Sequence, residues 1–102
     1  MSIFKKAFRS EPYALHVSMA GLKMGDRLLQ LGCEDGRLLA ALGAKVGLTG
    51  RACAADESDE AVARARARAL KAGVFVEVQK APLQALPYEP DSFDLVVILV
   101  RL

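Results

Sequence analysis

Two glycines, Gly32 and Gly36, bracket Cys33, Glu34 and Asp35, and a single carboxylate, Asp56, closes an apolar run 24 residues after Gly32. Paired glycines let a chain turn sharply and bring backbone amides close to a ligand, which suits a polar or anionic group at a helix N-terminus. Such a turn is often only a tight connection, so Asp56 carries the weight. An acid at the end of the second strand of an α/β unit accepts hydrogen bonds from both ribose hydroxyls of an adenosine lying across the first turn. The competing role for Asp56 is to cap the next helix, which Ser58 can supply instead. The pair points to a nucleoside-bearing cofactor. Cys33 and Cys53 are too few and too far apart for a disulfide scaffold or a CxxC metal site, and read as free thiols of a reducing compartment. No metal site is expected. His16 has no partner that the sequence identifies and reads as a surface or interhelical histidine; no general base is assigned.

The elements that must position these residues follow from periodicity and punctuation. Ser10 caps a leading helix that has Pro12 in its first turn and ends at Gly21. The turn Lys23-Met24-Gly25-Asp26 precedes a first strand over 27–31, which stops at Gly32. A helix over 37–42 follows, with Leu38, Leu39 and Leu42 on one side, and Gly43, Gly47 and Gly50 break what comes next into turns. Arg51 to Ala55 is a short apolar run bounded by turns, hence a buried strand, ending at Asp56. Ser58 caps the clearest helix, 59–72, which has Asp59 and Glu60 at its positive end and Gly73 as its stop. Its basic residues Arg64, Arg66, Arg68 and Lys71 form a solvated face opposite a stripe of alanines that suits close packing on a sheet. Residues 74–78 alternate as a strand, 81–90 form a proline-punctuated connection, and 93–100 is a nearly continuous β-branched strand. The order predicts an α/β fold: a Rossmann-like, three-layer parallel sheet with flanking helices, whose ligand site lies at the carboxyl ends of the strands where strand order reverses.

Composition sets the outer bounds. The chain has 102 residues, 53% of them hydrophobic and 25% charged, which describes a globular domain rather than a disordered tail. Fourteen basic against 12 acidic residues leave a net charge of +2, too small to indicate a nucleic-acid partner. The longest apolar run, Leu95 to Val100, is far short of the roughly 20 residues of a membrane span, and no secretory h-region opens the chain. A soluble, cytoplasmic protein is expected. Residues 1–9, rich in Lys, Arg and Phe without an acid, read as a basic N-terminal arm docking its aromatics on a domain formed by 10–102.

The stretch from Leu22 to Gly36, reading LKMGDRLLQLGCEDG, resembles the first motif and lead-in of the class I S-adenosylmethionine-dependent methyltransferases. Gly47-Leu48-Thr49-Gly50-Arg51 resembles the turn before that family's second strand. Residues 85–97, reading ALPYEPDSFDLVV, resemble its stretch entering the fourth strand, which ordinary dinucleotide dehydrogenases lack. The resemblance implies a methyltransferase, or its cofactor-binding half, with S-adenosyl-L-methionine as cofactor. It also implies a cofactor-binding set of Gly32, Cys33, Glu34, Gly36, Asp56, Glu57 and Leu83, with the methyl acceptor unidentified.

Departures from the family pattern fall at functional positions. Gln30 stands where an acid near the methionine ammonium is usual, Glu34 where a middle glycine admits the backbone to the cofactor, and Pro82 near an adenine-contacting acid. The chain ends after the fourth strand, where the family continues with a helix and three more strands. The outer edge of 93–100 is therefore expected to be open and covered by a second copy, a partner chain or the rest of a longer protein. These features support an alternative function: a catalytically degenerate module that works as a regulatory or assembly subunit through that exposed strand. A nicotinamide-binding half is the weaker third reading, because G-x-G-x-x-G is missing.

Overall fold

The computed structural model describes residues 4–9, 22–82 and 93–100. The expected leading helix over 10–21, His16 within it, and residues 83–92, which include most of the expected connection over 81–90, lie outside the described residues.

Five strands form one sheet: β1 (Phe4–Arg9), β2 (Arg27–Leu31), β3 (Arg51–Asp56), β4 (Glu77–Lys80) and β5 (Leu95–Val100), in the order β1-β5-β2-β3-β4. Every pairing is parallel. Two helices, α1 (Arg37–Val46) and α2 (Asp59–Ala72), connect β2 to β3 and β3 to β4. Strand order thus reverses at β2, which lies between β3 and β5, as the sequence predicts.

Alternation along the strands divides the core. Leu28, Ala52, Leu95 and Val97 meet Leu38, Leu42 and Val46 of α1. Ala54 and Val78 meet Leu39 of α1 together with Ala61, Val62 and Ala65 of α2, so the alanine stripe does bring this helix close to the sheet. On the opposite face Leu29, Cys53 and Val96 pack with Phe93. Helix α2 is built as its sequence dictates: the Ser58 hydroxyl accepts from the Ala61 amide at 3.2 Å, and Gly73 closes the helix in the left-handed conformation. At the amino ends of the strands, the Asp94 carboxylate accepts from both the Arg27 amide and its guanidinium, clamping β5 to β2.

Four expectations need correction. Residues 4–9 do not dock as an arm but enter the sheet as β1, paired in register from Phe4 with Leu95 to Arg9 with Val100. The outer edge of β5, expected to be open, is closed from within the chain, and with it goes the physical reason for a second copy or partner chain on Phe93–Val100. An unpaired edge along so apolar a strand leaves a row of unsatisfied N–H and C=O groups, and a six-residue strand supplies their partners. Next, α1 runs through Gly43 to Val46 instead of stopping at Leu42. A Cβ at Gly43 would lie 2.8 Å from Val74 Cγ1, so this glycine admits the incoming chain rather than ending a helix. Finally, the strand expected over 74–78 is displaced toward the C-terminus, because pairing with β3 starts where Cys53 meets Glu77.

Candidate functional site

The site is built on the turn that leaves β2. The Gly32 amide donates to Ala55 of β3 at 2.9 Å, and its carbonyl accepts from Gln30 Nε2 at 2.8 Å. Gly32 takes φ 93°, and a Cβ there would come within 3.4 Å of Leu99 Cβ, so the sequence needs a residue that is both small and free to adopt this conformation. Two residues on, Glu34 takes φ 50°, the one non-glycine residue with positive φ among those described. The backbone therefore follows the path a glycine would take, at some cost in strain.

Asp56, the last residue of β3, faces this turn. One carboxylate oxygen accepts from the Cys33 amide at 2.8 Å and the other from the Ser58 amide at 2.9 Å. An ionised carboxylate has about four acceptor positions, so two amides leave each oxygen able to take one more donor. The space in front of it is an open cleft of about 520 Å³ at the carboxyl ends of β2, β3 and β5, bordered by Gly32, Glu34, Asp56, Ser58, Arg64 and Leu99. That size lies within the range of small-molecule and cofactor sites. The location at the reversal of strand order is where open parallel sheets bind ligands.

The sequence-predicted residues do not all converge. Gly32, Glu34 and Asp56 border the cleft. Cys33 contributes its amide, but its thiol is buried with Leu39, Ala54 and Val62. Burial pushes that thiol up to about 12, with the Asp56 carboxylate adding to the effect, so Cys33 is a protonated core group near neutral pH. Gly36 serves packing rather than the cleft: a Cβ there would sit 2.7 Å from Ala65 Cα, so the absence of a side chain lets the start of α1 press against α2. Glu57 is exposed beside Asp56 and does not border the cleft. Leu83 lies outside the described residues, and Pro82 is exposed. Gln30 is fully buried, and among the described residues its Oε1 has no hydrogen-bond partner.

Arg64 is the residue that sequence reasoning missed. Its Nε donates to the Glu34 carbonyl at 3.3 Å, linking α2 to the turn at the cleft rim. The signal was its spacing: Arg64 follows Ala61 by three positions on a helix whose first turn faces the site, so the two share one side.

Comparison with known proteins agrees with this geometry. Residues 28–102 match the family model described as a methyltransferase domain. An uncharacterized protein of Mycobacterium tuberculosis is 35% identical over 81 residues, which cover 79% of this chain and 28% of that protein. The ubiquinone/menaquinone biosynthesis C-methyltransferase of Pseudomonas putida is 32% identical over 84 residues, covering 80% of this chain and 33% of that enzyme. The crystal structure of a SAM dependent methyltransferase from Aquifex aeolicus superposes with a TM-score of 0.75 at 28% identity, over 85% of this chain and 47% of that one. The chain spans about a third or less of the length of these curated relatives. With a parallel sheet that reverses its order at β2, a glycine turn hydrogen-bonded to an acid at the edge of a cleft, and a family model that matches most of its length, this chain belongs to the methyltransferase domain family.

Proposed function

We propose that the chain is the cofactor-binding part of an S-adenosyl-L-methionine-dependent methyltransferase, with the cofactor held across the turn from Gly32 to Gly36 and its ribose on Asp56. The observation that carries this reading is the Asp56 carboxylate. Its two oxygens are each fixed by one backbone amide and each retain capacity for one hydroxyl donor, at the mouth of the cleft. Two adjacent ribose hydroxyls match that capacity. When bound, the cofactor supplies an electrophilic methyl group on a sulfonium, so the protein's task is to orient it toward an acceptor nucleophile. Gly32 admits the cofactor to the backbone, and Gln30 holds the Gly32 carbonyl through Nε2. Glu34 and Arg64 fix the rim. Gln30 offers a neutral oxygen where the resemblance implies a charged one, which weakens recognition of an ammonium group relative to an acid. The methyl acceptor is unassigned. A cytoplasmic setting fits two buried, reduced thiols and described helices that are all too short to cross a membrane.

Calorimetric titration with S-adenosylmethionine and S-adenosylhomocysteine tests the proposal. Micromolar binding is expected, weakened about tenfold or more in Asp56→Ala, the loss of a hydrogen bond to a charged group. Asp56→Asn, which keeps one acceptor, should fall between. Because Asp56 also holds two loop amides, circular dichroism must show both variants folded. Folded wild-type chain that fails to bind at millimolar ligand would overturn the reading in favour of a module without a cofactor.

A further inference from the structure

The end of the sheet opposite the cleft is where the helix-to-strand turns of a parallel α/β unit must all emerge, and here they carry large apolar side chains into solvent. Leu48, in the turn after α1, is 90% exposed, and Phe75, in the turn after α2, is 74% exposed. Met24, in the turn before β2, is 74% exposed, and Leu70 in the last turn of α2 is 82% exposed. Three of these positions, Met24, Leu48 and Phe75, adjoin one another. A Cβ at Gly47 would meet Met24 Cγ at 3.7 Å, and Leu48 and Phe75 border one shallow groove of about 270 Å³ with Gly43, Gly47, Gly73 and Val74. Among the described residues no element covers them, and Leu28, Leu42 and Val46 already fill the core above. Contiguous exposed apolar side chains mark an interaction surface.

The charge around the patch identifies its partner. Lys45 lies in the last turn of α1 and Lys71 in the last turn of α2; both are exposed, and neither forms an ion pair among the described residues. Lys23 adds a third ammonium, shared with Asp26 at 3.2 Å. Among the described residues, the other carboxylates at this end, Glu77 and Asp94, are engaged by Arg51 and Arg27. Among the described residues, the acids Glu34, Asp35, Asp56, Glu57, Asp59 and Glu60 gather instead at the cleft end, so the described part of the domain is polarised, with the apolar turns on its basic side. Apolar side chains standing out from three separate turns, rather than lining a deep groove, suit a broad soft surface that they can enter together. Lysines among them suit anionic headgroups.

We propose that this end of the domain, Met24, Leu48, Leu70 and Phe75 with Lys23, Lys45 and Lys71, docks on an anionic lipid surface and leaves the cleft facing away from it. The proposal does not depend on the cofactor reading. Cosedimentation of the full chain with phosphatidylcholine vesicles, and with vesicles in which about a third of the lipid is phosphatidylglycerol, is the test. Binding should be at least about tenfold stronger to the anionic vesicles and should weaken as salt is raised. It should be lost in Leu48→Asp/Phe75→Asp and reduced in Lys45→Glu/Lys71→Glu. All four positions are exposed, so the variants should keep the wild-type circular dichroism spectrum and melting temperature. Equal binding to both vesicle types, no binding to either, or binding unchanged in the variants would each overturn the proposal. Retention of the chain by poly-glutamate in the absence of vesicle binding would overturn it too, and would assign the surface to an acidic polypeptide.

Discussion

Asp94 shows how one side chain ties the chemistry of the sequence to the geometry of the sheet. Its carboxylate accepts from the Arg27 guanidinium and the Arg27 amide, and the guanidinium in particular holds its pKa below the ordinary aspartate value of 3.8. An acid with a lower pKa folded than unfolded stabilises the fold above the unfolded value, and loses that stabilisation as pH falls through the folded one. Glu77 behaves alike, because Arg51 bonds its carboxylate. Urea unfolding of the wild type should therefore show stability falling as pH drops below about 4, and Asp94→Asn should flatten part of that fall. At neutral pH the variant should cost about 1 kcal/mol or less, since both partners are substantially exposed. A variant with the wild-type acid limb would show that this clamp contributes nothing. At the same scale, Glu34 and Gln30 are legible as departures in the sequence. Their consequences are not: only the fold reveals that Glu34 adopts the conformation of the glycine it replaces, and that Gln30 spends its amide on the Gly32 carbonyl.

At the scale of elements, Gly43 separates local propensity from tertiary demand. Propensity reads it as a helix breaker, and replacing it with alanine in a solvent-exposed helix would add about 1 kcal/mol of stability. In place, the added methyl would lie 2.8 Å from Val74 Cγ1 and 3.1 Å from Val76 Cγ1, two β-branched side chains with little freedom to move. Overpacking of this kind costs roughly 1–3 kcal/mol, so the clash should win. Gly43→Ala is expected to lower the melting temperature by several degrees. A rise would mean that the 74–76 segment gives way. Helix α2 is the opposite case, since its cap, charges, alanine stripe and stop all agree, and its bounds were legible to the residue. Two of its arginines were not, because their partners are distant in sequence: Arg64 reaches the Glu34 carbonyl, and Arg66 donates to the Val78 carbonyl of β4 at 2.6 Å.

For the whole molecule, the deciding feature is how the sheet manages its two edges. On one side β4 is four residues long and presents Glu77, Gln79 and Lys80, a short charged edge of the kind that resists further pairing. On the other side β1, carrying Lys5, Lys6 and Arg9, covers the apolar β5. Removing residues 1–9 should uncover β5. Light scattering after size exclusion is expected to show that truncated chain at higher mass or aggregated, with a lower melting temperature than the intact chain. Unchanged mass and stability would show that β1 is dispensable and that the edge of β5 is protected otherwise.

The sequence alone determined those parts whose signals are local: β2 and its glycine turn, the strand that ends at Asp56, the capped helix α2, the apolar β5 and, through their order, a parallel α/β sheet with a cleft at the reversal point. It also determined the pairing of the turn with Asp56, because spacing along a strand-helix-strand unit fixes which ends meet. Only the tertiary structure decided what depends on contacts between segments far apart in sequence. That set includes β1 beside β5, the continuation of α1 through Gly43, the removal of Gly36 and the Cys33 thiol from the cleft into packing, and the entry of Arg64 at its rim. The physical reason is the same in each case. Propensity and capping act within a few residues, whereas a strand edge, a helix contact or a buried thiol is defined by neighbours that the chain brings together only when it folds.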